Sequence, residues 1–173
     1  NIPIPTTLAD GTYKVYLSTL VDGQNVSGTS NTFTLKNGTA NVVISGTPSL
    51  AIDSTNTKGS STAMTAIFTF QATAVGNVMT KPVVADFVVS FNKADGTAIS
   101  SPTVTVSVNP NANIAKGSTA TVTVKANILA SKVPATGAYT ASVTSIKTTV
   151  GGFASTQTFP ASTYKTTSVN FVK

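Results

Sequence analysis

One short pattern occurs twice, far apart. Ala9-Asp10-Gly11-Thr12-Tyr13 returns as Ala135-Thr136-Gly137-Ala138-Tyr139, an offset of 126 residues (13 to 139). The same offset links Leu20 to Ile146, Thr32 to Thr158 and Phe33 to Phe159. A period of that length fits one β-sandwich domain and is far too long for a solenoid repeat. The expected organisation is a partial unit over residues 1–45, carrying C-terminal strands, followed by a complete unit over residues 46–173. Such a chain is a piece of a tandem array, or a subunit completed by another copy's strands.

Composition sets the fold class. Charged residues make up 9% of the chain, against about a quarter in ordinary globular domains. Arg and Glu are absent, so the polar surface has to be built from Thr, Ser and Asn. Thr suits strands, because its branched Cβ packs on a pleated surface while its hydroxyl tolerates water. The helix formers of exposed faces are nearly missing. The chain reads as all-β.

Period-two alternation places the strands. In the first unit, residues 12–20 read as one strand with Tyr13, Val15 and Leu17 on a shared face. Asp22-Gly23 and Gly28 punctuate a loop, Phe33 and Leu35 share a face, Asn37-Gly38 is a turn signal, and residues 41–45 form a third short strand. In the second unit Leu50 and Ile52 open the sandwich. Strands follow over residues 64–72, 83–91, 103–108, 120–129, 138–146, 156–159 and 168–172. That count, with turn signals between, is the spacing of a two-sheet sandwich. The expected core is Met64, Phe68, Phe70, Phe87, Val89, Val122, Val124, Tyr139 and Val143.

The repeated Gly-x-Tyr resembles the tyrosine corner of immunoglobulin-like domains, where a Tyr near the start of strand F bonds back across the corner. Tyr13 and Tyr139 would be those structural residues. The resemblance implies an Ig-like antiparallel β-sandwich preceded by a partial second sandwich. Two departures narrow it. Val15 and Ala141 stand where strand F would carry a cysteine, and there is no Trp. The chain is therefore similar to the disulfide-free, bacterial-type tandem repeats of surface-layer, adhesin, stalk and filament proteins. That implies an extracellular, cell-surface location, with neighbouring copies or domains of the same protein as partners.

The residue inventory argues against catalysis. There is no His, Cys or Glu, and only five Asp. A Ser-His-Asp triad cannot be built, and general acid–base work lacks its usual groups. The expectation is a non-enzyme with no cofactor and no metal. Asp53 with Asn56 is the best calcium candidate, but no acidic cluster supports it. Tyr16 and Tyr164 are the candidate sugar-stacking residues. Asn170 could enter a Lys–Asn crosslink, with Asp86 as the proton shuttle. Asn25 and Asn37 begin glycosylation-type triplets that chance would also supply. The eleven lysines are scattered, which argues against nucleic acid and suggests solubility and edge-strand protection instead. No run of about twenty apolar residues exists to span a membrane. The sequence points to a non-catalytic extracellular structural module, assembling through strand or domain-edge contacts. A glycan- or host-protein-binding adhesin module is the alternative.

Overall fold

The alternation of apolar and hydroxyl side chains resolves into fourteen strands in a computed structural model that describes residues 11–29, 31–35, 38–53, 61–99, 102–160 and 162–173. They are β1 (Gly11–Tyr13), β2 (Tyr16–Val21), β3 (Gln24–Thr29), β4 (Phe33–Leu35), β5 (Thr39–Ile44), β6 (Ser49–Ile52) and β7 (Thr62–Val75). After these come β8 (Phe87–Lys93), β9 (Ala98–Ile99), β10 (Thr103–Asn109), β11 (Thr119–Leu129), β12 (Gly137–Val150), β13 (Phe153–Thr158) and β14 (Val169–Phe171). The only helical pieces described are two 3₁₀ turns, Val84–Asp86 and Ala130–Lys132.

Two antiparallel five-stranded sheets form the sandwich. One runs β10-β11-β7, with β5 and β6 sharing the outer side of β7. The other runs β9-β8-β12, with β13 and β14 sharing the outer side of β12. Reading β5/β6 as strand A and β13/β14 as strand G, the layers are A-B-E-D and G-F-C plus one further strand. That is the immunoglobulin order. All nine expected core residues are buried. The even-numbered side chains of β7, from Met64 to Ala74, point into the core beside Val122, Val124, Ala126 and Ile128 of β11. Burying each large apolar side chain stabilises the fold by roughly 1.5–3 kcal/mol. The outward side chains of the same strands pair through hydroxyls and amides. Thr65 Oγ1 donates to Asn127 Oδ1 at 2.9 Å, and the Thr73 and Thr119 hydroxyls lie 2.8 Å apart.

The first unit differs from the sequence expectation. Residues 12–20 are not one strand. β1 pairs with β4, while β2 forms a hairpin with β3. The residues taken as a loop after Asp22-Gly23 are the strand β3. Asp22 and Gly23 both have positive φ, +51° and +78°, so they form the two-residue turn whose twist suits a tight hairpin. The Leu17 side chain lies outside the described residues. The second unit repeats this plan. Gly11↔Leu35 and Tyr13↔Phe33 match Gly137↔Phe171 and Tyr139↔Val169 in register. Gly151-Gly152, at φ +56° and +84°, joins β12 to β13 as Asp22-Gly23 joins β2 to β3. The counterpart of β4 is therefore β14, and the sequence match of Phe33 to Phe159 is displaced by extra residues in the second unit both before its Gly151-Gly152 turn and after it.

β5 is the other correction. The division at residue 45 leaves it with the first unit, but it hydrogen-bonds along β7 from Thr39↔Val75 to Ile44↔Phe70. Gly38 marks the point where the chain docks. A Cβ there would lie 2.6 Å from Val150 Cγ1 and 3.0 Å from the Asn77 backbone nitrogen. We expect Gly38→Ala to cost about 1–3 kcal/mol by overpacking against a backbone that cannot retreat. Urea unfolding measures it, and an unchanged midpoint would mean that this junction is not packed.

Candidate functional site: the tyrosine corner and the open edges

β12 opens beneath the corner. The Tyr139 hydroxyl donates to the Ala135 carbonyl at 2.6 Å, and the residue is fully buried. Its ring meets Phe171 edge-on at 6.4 Å, an arrangement favoured by the ring quadrupoles. The same loop holds the chain's last residue. Lys173 donates from its backbone nitrogen to Thr136 Oγ1 at 3.0 Å and from Nζ to the Val133 carbonyl at 2.8 Å. Tyr13 is only half-buried, with its ring 6.1 Å from Phe33. Ala9, the residue equivalent to Ala135, lies outside the described residues. Ala141, at the position of the missing strand-F cysteine, is buried in the core.

The other candidates do not converge. Among the described residues no group of three or more His, Cys, Asp or Glu could hold a metal ion. Asp53 follows β6, with its N–H donating to Ala63 O, and Asn56 lies outside the described residues. Asp86 Oδ2 accepts from the Val83 N–H at 2.9 Å and so caps the 3₁₀ turn before β8. Asn170 is exposed on β14, so it lacks the buried setting that a Lys–Asn crosslink needs. Tyr164 is half-buried and packs at near-right angles to both Phe70 and Phe159, as part of the sandwich's aromatic cluster. Tyr16, by contrast, is 70% exposed on β2. Asn25 is exposed on β3, and Asn37 lies outside the described residues.

Asp95, in the turn joining β8 to β9, is held below the ordinary carboxylate range. The main cause is the Thr97 backbone N–H, which donates to Oδ1 at 2.9 Å. The Thr97 side chain contributes next, and Lys93 Nζ at 3.3 Å adds a smaller pull in the same direction.

The sandwich edges are the remaining surface. β5 and β13 flank a groove of about 260 Å³, lined by Ala40, Val42, Ile146, Val150, Phe153 and Gln157 among others, with no ionisable side chain. Contrary to the sequence expectation, no described edge strand carries a lysine. The strand lysines sit on the inner strands β8, β11 and β12 instead. Edge protection comes from interruptions. β5 and β6 are separated around Gly46 and Pro48, β13 and β14 around Pro160, and β9 has two residues. Among the described residues no helix is long and apolar enough to cross a membrane. No family model matches the chain, and no curated protein and no solved structure is significantly similar to it.

Two predictions follow from this geometry. Tyr139→Phe removes the donor to Ala135 O and should destabilise the sandwich by about 1–2 kcal/mol. Calorimetry reads this as a lower Tm with the fold retained. Asp95 has a lowered folded-state pKa, so its turn contribution is present above the ordinary carboxylate range and lost as pH falls through the lowered value. The Thr97 amide shift should follow that titration, and Asp95→Asn should remove it. A pH-independent Thr97 amide in the unsubstituted chain would contradict the bond.

Proposed function

We propose that the chain is a non-catalytic structural module of a repetitive extracellular protein, of the bacterial-type Ig-like kind that builds stalks, surface layers or fibres. The observation that carries this reading is the duplicated ribbon. Gly-x-Tyr strand, two-residue positive-φ turn and returning strand occur once over residues 11–35 and again over residues 137–171. Tandem duplication of one domain plan is how such arrays are made. The hydroxyl-rich, sparsely charged faces support it, since they need no specific partner to stay hydrated.

The first ribbon supports assembly through strand or domain edges. In the second unit β12 is covered by β8 and the facing sheet, while β13 stays exposed. In the first, Tyr16, Leu20, Val21 and Val26 are exposed, and apolar surface of this kind marks a contact site. Tyr16 also favours the alternative reading, an adhesin module that stacks a sugar on an exposed ring. Binding to a broad glycan array separates the two. The structural reading expects no saturable sugar ligand and concentration-dependent self-association in sedimentation. A saturable ligand lost on Tyr16→Ala would establish the adhesin reading instead.

A further inference from the structure

We propose that β10 is the edge through which two copies of this chain join, antiparallel and about a two-fold axis at Val106. This rests on the reading that the module assembles through strand edges, and it names the edge and the register. β10 is the outermost strand of its sheet, so one row of its N–H and C=O groups points away from β11. Unpaired rows of this kind template the addition of another strand. The other edges of the two sandwich sheets are interrupted, short, or set against the β5–β13 groove; the β2–β3 ribbon also has free edges, but it pairs with neither sandwich sheet. β10 runs seven residues, Thr103–Asn109, with no proline, charge or register shift inside it.

Its sequence is self-complementary. With the axis at Val106, Thr105 lies opposite Ser107 of the second copy, Val104 opposite Val108, and Val106 opposite itself. Opposed residues in an antiparallel pair share a face. Valines therefore meet valines on the core side, and hydroxyls meet hydroxyls outside. Val104 and Val106 sit on the core side yet are only half-buried. A second β10 would cover them and extend the sheet continuously from one copy into the next, in the isologous manner of a two-fold interface. Lys125 is the one charged side chain beside β10 in the ladder, opposite Thr105 within the same copy. It lies one strand back from β10, which itself brings no charge to the join.

The test uses the full chain and two variants that share one substitution. Thr105→Asp/Ser107→Asp sets like charges directly opposite across the axis. Thr105→Asp/Ser107→Lys sets opposite charges there. Both place the same aspartate opposite Lys125; position 107 lies diagonal to Lys125 and carries opposite charges in the two variants, so the melting of each variant is measured and association is compared where both are folded. In sedimentation equilibrium the unsubstituted chain should dimerise. The first variant should weaken the dimer by about tenfold or more, and the second should restore it. If the unsubstituted chain associates and Thr105→Asp/Ser107→Asp associates equally well, β10 is not the edge and assembly runs through another one. A chain that stays monomeric at every concentration overturns edge assembly itself.

Discussion

Everything in the sandwich hangs on the pairing of β7 with β11. This ladder sets Phe68 opposite Val124, Phe70 opposite Val122 and Met64 opposite Ile128. It fixes which face of the sheet is apolar, because a slip of one residue would turn every one of those side chains to water. With the register set, β5 and β6 add to the far side of β7, and β10 adds to β11. The apolar face then demands a second layer, which β8 and β12 supply through Phe87, Val89, Phe91, Ala141 and Val143.

The Tyr139 corner fixes the entrance to that second layer. β12 must pair with β14 at its start and with β13 at its end, so one strand serves two partners. The register shift between Val143 and Ser145 is where it turns between neighbours. The segment between β13 and β14 closes over the gap. Tyr164 accepts from the Val143 N–H at 3.0 Å, and Thr166 exchanges bonds with Ala141 through its backbone and hydroxyl. The hydroxyl of a buried Thr thus completes a backbone ladder that no strand continues.

The chain has no His, Cys or Glu. Two of its carboxylates serve turns: Asp86 caps the approach to β8, and Asp95 closes the β8–β9 turn. Edge backbone and uncovered apolar side chains lie at the sandwich edges and on the first ribbon, where Tyr16, Leu20, Val21 and Val26 are exposed. A structural role in which copies or domains meet side by side uses both of those features and requires no chemistry.

The sequence by itself determined the fold class and the core. Period-two alternation survives in any packed sheet, so Met64, Phe68, Phe70, Val122 and Val124 could be placed inside from spacing alone. Gly137-Ala138-Tyr139 also marked the start of β12, where the Tyr139 hydroxyl bonds back to Ala135, since that turn chemistry is local. What the tertiary structure decided was partnership. β5 reads like any short strand, and nothing in Thr39–Ile44 says that its ladder runs to β7. Asp22-Gly23 could have revealed β3, because this dipeptide favours a two-residue hairpin, but β3 itself is hydroxyl-rich and lacks alternation. The equivalence of β4 with β14 was hidden by the longer loop before β14, which shifts the offset. Pairing between strands distant in sequence is a choice made by the packed faces, so it leaves no local trace in the chain.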